Sequence, residues 1–431
     1  MRRGLPLSLA VVVLAVIGAG GFFYWPASLE PVALTQAFPV GADLIARGAY
    51  LTMASDCAAC HTVPGGKPFA GGLAFKLPFG TIYSPNITPD KNAGIGSWSD
   101  AEFVRAMQKG IGRHGEDLYP AFPYTSYALV STDDVLAIRA YLATLSPEPT
   151  RPPANDLFFP FNQRALMRGW KLMFLPWRRF EPDVSRTADW NRGAYLVEGL
   201  GHCGECHTPR NLLFARKSGD RLAGAVVEGQ KAYNITPDKR TGIGNWTDDA
   251  LAAYLSTGHA DGHGSASGGM AEVVDLSLRF LTIADIRSMA TYLRALPARS
   301  TALEGTLVAD PPMLTASASW SPPKQTPMSP GLKVFEGACA SCHAWDGSGR
   351  EVAHASLKGA RTVNDPDGAN LVRVILHGSH IGSAQGDLMM PGFADAYSDA
   401  EIAAVSNYVI NQFGGSAGKV SEPEVAEARK N

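Results

Sequence analysis

Hydrophobic residues fall along this chain in three kinds of pattern, and each predicts a different element. The first is continuous. After Arg2 and Arg3, no charged residue occurs from Leu5 to Trp25. That run is about as long as a bilayer-spanning helix needs and longer than the apolar core of a cleaved export signal. Phe22, Phe23, Tyr24 and Trp25 close it as an interfacial aromatic belt would. Arginines stay on the cytoplasmic side, so the expectation is an uncleaved anchor over residues 1–27, with the body outside the cytoplasm on the periplasmic side of the inner membrane. A cleaved signal is the other reading. No second run of that length follows.

The second pattern is periodic. Apolar residues at i, i+3 and i+7 mark one buried helical face three times: Val135/Ile138/Leu142, Ile286/Met289/Leu293 and Ile402/Val405/Val409. The third pattern is mixed. Residues 149–186 contain FFPFNQRALMRGWKLMFLPWRRF, where aromatics alternate with Arg164, Arg168, Lys171, Arg178 and Arg179. Such a segment suits a membrane interface or a docking face, or equally a packed connector between domains.

The periodic helices close copies of a repeat. RGAYLTMASDCAACHT (47–62) matches RGAYLVEGLGHCGECHT (192–208), and NITPDKNAGIGSW (86–98) matches NITPDKRTGIGNW (234–246). A third copy follows the same plan without the Asn-Ile-Thr block. The chain of 431 residues is long enough for several domains, and its 45 glycines and 30 prolines predict short elements joined by long loops. The predicted division is a domain at 40–148, the connector at 149–186, a domain at 187–298, a Pro/Ser-rich linker at 299–329, a domain at 330–416 and a polar tail at 417–431. The formal net charge of −2 provides no basic stripe, which sets nucleic acid aside.

All six cysteines lie in three C-x-x-C-H strings: Cys57/Cys60/His61, Cys203/Cys206/His207 and Cys339/Cys342/His343. This is the signature of covalent c-type haem attachment. Two thiols three residues apart share one helical turn and add to the two vinyl groups of a haem. The histidine that follows is then the proximal iron ligand. A zinc ribbon needs four ligands from paired knuckles, but these pairs are 146 and 136 residues apart and odd in number. A thioredoxin-like CxxC does not need histidine three times over. Three covalent haem c groups are expected. The fold class is then mainly α: three tandem class I cytochrome c-like domains with long loops, each of a size that an apolar core and a buried haem can stabilise, plus the N-terminal transmembrane helix.

A six-coordinate electron-transfer haem often takes methionine opposite the histidine, on a loop shortly before the C-terminal helix. Met390, followed by Pro391, lies 12 residues before Ile402, and Met270 lies 16 before Ile286. Met389 is the rival to Met390, and core filling is the alternative for each. The matching place in the first domain, 13 residues before Val135, is Phe122, in LYPAFPY. A phenyl ring cannot bind iron. The first haem therefore stays five-coordinate or recruits Met107 or His114, which otherwise read as core and loop surface. His202, His259, His263, His354, His377 and His380 read as loop residues, with bis-histidine ligation by His259 or His263 a minor alternative.

With the three CxxCH domains, the two NITPD…GIG.W blocks, WNRGAYLVEGLGHCGECHTPRN and GGMAEVVDLSLRFLT, the chain resembles the tri-haem cytochrome c subunit of bacterial membrane-bound dehydrogenases, over about residues 40–415. The resemblance implies an electron-transfer subunit without substrate chemistry of its own. Its partner would be a catalytic subunit of flavin, PQQ or molybdenum type acting on alcohols, aldehydes, sugars, sugar acids or heterocycles. Its electrons would pass to ubiquinone or a terminal oxidase. Relatives carry LYPAMPY where this chain has LYPAFPY, a form similar to cytochromes beside molybdenum hydroxylases. Several relatives are anchored at the C-terminus, whereas this chain ends in the polar KVSEPEVAEARKN. The alternatives are a cytochrome subunit of a terminal oxidase, and a haem enzyme or ligand sensor, peroxidase-like, using an open first haem. The last would need a distal His/Arg pair beside an open iron, and the sequence offers no convincing one close to Phe122.

Overall fold

A computed structural model describes residues 4–25, 28–34, 41–301, 328–383 and 386–430; side chains at 4–9, 16, 19, 383 and 386 lie outside the description. The linker expected at 299–329 falls almost wholly outside it. The chain forms two compact units, one of residues 1–182 with 198–202, the other of 183–197 with 203–431.

In the first unit, helix Ala42–Ala54 crosses helix Thr132–Leu142. The crossing is close because position 48 is glycine: a Cβ there would overlap the Ala137 carbonyl oxygen. Arg47 fixes the pair by donating from Nε to Asp134 Oδ1 at 2.8 Å. Ser131 caps the second helix by accepting from the Asp134 amide. Val135, Ile138 and Leu142 are all buried, as the periodicity requires.

The second unit repeats this crossing twice. Ala188–Ala194 packs on Ile283–Arg294, and Pro330–Val334 on Asp399–Phe413. Gly193 and Gly331 again allow the approach, since Cβ atoms there would overlap the Ser288 and Ala404 carbonyls. Arg192 grips Asp285 with two bonds of 2.8 and 2.6 Å. In both copies the first helix ends in a π turn, Tyr195–Leu200 and Phe335–Cys339. For the second copy the sequence explains it: Arg192 to Cys203 is one residue longer than Arg47 to Cys57, and a wider turn absorbs the extra residue.

The long loops are more ordered than the sequence indicates. Ala74–Leu77 and Gly80–Tyr83 form a hairpin that Asp156–Leu157 extends to three strands. Ala225–Val227 and Gln230–Ala232 form another, turning at Glu228 and Gly229 with both φ angles positive. Two more pair His259–Ala260 with Gly264–Ser265, and Ser379–Ser383 with Gly386–Met390.

Two segments differ from their polar or mixed reading. The tail at 417–431 contains helix Glu422–Lys430, which buries Val425 and Ala428, spaced i and i+3, in the core of the third domain. Arg429 ties it down by donating to Asp399 Oδ1 at 2.7 Å. The connector packs on the first domain rather than standing apart. Its helix Leu166–Phe174 buries Trp170 and Lys171, and Lys171 Nζ donates to the Lys109 and Gly110 carbonyls and pairs with buried Asp117. Its other face leaves Phe159, Leu172, Met173 and Trp177 exposed. At the N-terminus, Gly4–Tyr24 is α-helical, with Val11, Val12, Val13, Leu14 and Ile17 exposed. Among the described residues, no helix is long and apolar enough to cross a membrane, so the anchor stands as an expectation.

Candidate haem-attachment sites

Each CxxCH string ends on a short helix: Cys57–His61, Gly204–His207 and Ala340–His343. Cys57 and Cys60 lie together in the first helix. Cys203 stands at the N-cap of the second with right-handed helical dihedrals, and its carbonyl accepts from the His207 amide at 3.0 Å, which closes one turn over both thiols. Cys339 ends the π turn that runs directly into the third. The thiols also differ in access. Cys57, Cys60, Cys203 and Cys339 are half-buried, whereas Cys206 and Cys342 are exposed. No disulfide joins any of the six, so all remain available for thioether attachment.

In the first two copies the chain turns sharply into the motif through a left-handed residue, Asp56 (φ 49°) and His202 (φ 37°). Each motif histidine is then held at two points. Its backbone carbonyl accepts from the amide of a left-handed glycine: Gly71 for His61 and Gly224 for His207, both at 2.8 Å, and Gly349 for His343 at 3.0 Å. Its ring Nδ1 lies against a backbone carbonyl: Pro85 O at 2.7 Å, Tyr233 O at 2.6 Å and Ala355 O at 2.7 Å.

That second contact decides the chemistry. A carbonyl only accepts, so Nδ1 carries the proton and Nε2 keeps its lone pair for a metal. Burial pushes all three imidazoles below their ordinary pKa, against the opposing pull of the carbonyl bond, which keeps the rings neutral at pH 7. Cys57 and Cys339 are not activated thiols. Burial, with the Asp56 charge behind it, raises the Cys57 thiol well above its usual range, and burial pushes Cys339 up to about 11. A disulfide oxidoreductase needs a depressed thiol pKa. Among the described residues no cluster of three or more His, Cys, Asp or Glu side chains could hold a bare metal ion. The donor set fits iron that arrives with four ligands of its own in a porphyrin.

Sequence reading finds the histidines but not the three carbonyls. Two were within reach, because Pro85 and Tyr233 directly precede the repeated Asn-Ile-Thr. That block is a brace for the carbonyl. Asn86 Oδ1 accepts from the Thr88 amide and hydroxyl at 2.8 and 2.7 Å, and its Nδ2 donates to the Glu148 and Thr150 carbonyls. Asn234 repeats this with Thr236, at 2.8 Å twice, and its Nδ2 donates to the Arg299 carbonyl at 2.6 Å. Ala355 has no such signal.

The candidate sixth ligands lie in unlike settings. Met390 ends strand Gly386–Met390, half-buried against the core of the third domain. Met389 points to the opposite face and is 74% exposed. Met270 is half-buried in the first turn of helix Gly269–Leu276. Phe122 is half-buried, its ring 5.5 Å from that of Tyr127. Met107 is buried in helix Asp100–Lys109, and His114 is exposed. His259 is no surface loop residue: it is buried, with Nδ1 2.9 Å from Ser265 Oγ and Nε2 3.2 Å from Asp261. His263 stacks on Trp246 at 4.0 Å.

Crossed terminal helices around a CxxCH turn, with the histidine fixed through Nδ1, define a c-type cytochrome. Comparison with known proteins agrees. The cytochrome c family model matches residues 45–146 and 328–412. A nicotinate dehydrogenase subunit of Pseudomonas putida is 44% identical over 394 residues, 90% of this chain and 32% of that protein; the chain thus spans about a third of that relative. The fructose dehydrogenase cytochrome subunit of Gluconobacter japonicus is 38% identical over 89% of this chain and 82% of its own length. The gluconate 2-dehydrogenase cytochrome c subunit of Pantoea cypripedii is 38% identical over 90% of each. The chain belongs to the family of cytochrome c subunits of bacterial dehydrogenases. It is an electron-transfer protein, and its family implies covalently bound haem c.

Proposed function

We propose that the chain is a tri-haem electron-transfer subunit, docked to a catalytic dehydrogenase at the periplasmic face of the inner membrane, passing electrons to ubiquinone or a terminal oxidase. The observation that carries it is the threefold recurrence of one site: a CxxCH histidine with Nδ1 on a backbone carbonyl at 2.6–2.7 Å. Bound haem would supply one-electron redox chemistry at each. The chain's own residues do the rest. Cys57/Cys60, Cys203/Cys206 and Cys339/Cys342 tether the groups, and His61, His207 and His343 take the proximal positions with their tautomer fixed. Met270 and Met390 serve as sixth ligands of the second and third. The first site differs: Phe122 fills the methionine position, Met107 is committed to core and His114 to the surface, which favours a first haem without a sulfur ligand.

Identity to the nicotinate dehydrogenase subunit, 44%, exceeds that to the sugar, sugar-acid and alcohol dehydrogenase subunits, 35–38%. This favours a molybdenum-type partner that oxidises a nicotinate-like heterocyclic acid over a flavin or PQQ enzyme. No observation favours the peroxidase-like alternative. Purification of the tagged chain from solubilised membranes, with mass determination of haem content and cofactor analysis of whatever co-purifies, tests the reading. Three haems and a dehydrogenase are expected; another haem count, or a chain that elutes alone, would overturn it.

A further inference from the structure

The third copy lacks the Asn-Ile-Thr brace, yet its Ala355 carbonyl meets His343 Nδ1 as closely as the braced carbonyls meet theirs. The second domain supplies the substitute. Ser265 Oγ donates to the carbonyl of His354, the residue before Ala355, at 3.1 Å. Ser265 is itself held by His259 Nδ1 at 2.9 Å. The His354 ring lies 4.8 Å from that of His259, and its Nε2 is 3.2 Å from the Thr257 carbonyl. Two glycines make the approach possible. A Cβ at Gly359 would overlap the Gly262 carbonyl, and one at Gly264 would come within 2.5 Å of Ala360 Cα.

The traffic runs the other way at the second site. The hairpin leading to Tyr233 is clasped by the third domain. Asn370 Oδ1 accepts from the Lys231 amide at 2.8 Å, and its Nδ2 donates to the Lys231 carbonyl at 2.9 Å, a side chain behaving like a neighbouring strand. Lys231 Nζ pairs with Asp365 at 2.8 Å and Asp367 at 3.1 Å. Arg361 lies over the Tyr233 ring, 5.0 Å from its centroid, and donates to the Thr241 carbonyl. In the first domain the corresponding hairpin is instead clasped by the connector that follows it, through Asn155 and Asp156–Leu157.

We propose that the second and third domains complete each other's proximal haem sites: Ser265, held by His259, is a positioning residue for His343, and Asn370 with Arg361 positions the Tyr233 carbonyl and through it His207. This rests on the tri-haem reading. A proximal imidazole that donates a well-aimed Nδ1 hydrogen bond is a stronger base and favours ferric iron; a slack carbonyl weakens the bond and favours ferrous. The two haems of this unit would therefore owe their potentials to a domain other than their own, and the first haem would not.

The test uses the full chain with its haems, titrated potentiometrically with EPR detection so that each haem is followed separately. Asn370→Ala removes no charge. It should raise one midpoint by about 59 mV, a tenfold fall in the oxidised-to-reduced ratio at fixed potential for one electron, leaving the other two in place. Ser265→Ala should raise a different one. Should Asn370→Ala not fold, Arg361→Lys keeps the charge, loses the planar stack on Tyr233 and should move the same midpoint as expected for Asn370→Ala. Unchanged midpoints in variants that retain all haems would overturn the proposal, as would a common drift of all three with a lowered melting temperature. A wild-type haem count other than three would count against the functional reading instead.

Discussion

A histidine presents a fixed lone pair only when its other nitrogen is occupied, and here the Pro85, Tyr233 and Ala355 carbonyls occupy Nδ1 three times. The residue that departs from the repeat is Phe122. Phe122→Met should give the first haem a sulfur ligand: a high-spin component, one haem of the three in the wild type, should vanish while Met270 and Met390 variants leave it in place. Three low-spin wild-type haems, all with the sulfur-to-iron charge-transfer band, would rule this out. The glycines of the helix crossings give a stability prediction. Gly331→Ala drives a Cβ into the Ala404 carbonyl and should cost about 1–3 kcal/mol, read as a lower melting temperature; an unchanged one would mean the crossing can give way. At this scale the sequence was legible wherever a side chain carries the chemistry. It was silent where a backbone carbonyl does, because any residue can supply one.

Elements were legible by period. The three C-terminal helices were readable because their buried faces repeat at i, i+3 and i+7, and all nine of those residues are buried. The hairpins were not, since strands of two to five residues around Gly carry too little alternation to read. The connector divides two readings between its faces: Trp170 packs inward against Tyr124 at 6.1 Å, while Leu172, Met173 and Trp177 face out. Trp170→Ser should therefore destabilise the first domain by about 3 kcal/mol rather than weaken association alone, and denaturant unfolding would measure it; a melting curve like the wild type would place the ring outside the core. The hairpin bearing His259 adds a pH dependence. Burial, resisted by Asp261 and reinforced by the His354 charge, holds its pKa below the ordinary 6.5. As pH falls below that value the unfolded chain takes the proton first, so the clasp is at full strength above about 6.5 and weakens downward from there. His259→Gln should flatten the fall in melting temperature between pH 7 and 5, and a variant that tracks the wild type would remove the histidine from the account.

At the scale of the whole molecule, the composition of residues 5–25 suggests attachment to a membrane. The structure adds a second element to that argument. Arg168 Nη1 of the connector helix donates to the Phe22 and Trp25 carbonyls, both at 2.7 Å, and a Cβ at Gly169 would meet the Phe23 ring at 3.5 Å. The exit of the apolar helix is thus tied to the helix that carries Leu172 and Met173, with Tyr24, Trp25 and Trp177 exposed about 75% each. If the first helix enters a bilayer, the connector's outward face rests at the headgroup level, where Trp and Tyr with neighbouring cations are at home. Two kinds of attachment would then add. Deleting residues 1–25 should move the protein from the salt-washed membrane fraction to a form that still binds anionic vesicles weakly and releases in salt. Adding Leu172→Ser, Met173→Ser and Trp177→Ser to that deletion should abolish the residual binding with the haem spectrum unchanged. A deletion that stays in the salt-washed membranes would show that the first helix is not what holds the protein there. Full solubility of the deletion without vesicle binding would leave the helix as anchor and free the connector face for the dehydrogenase.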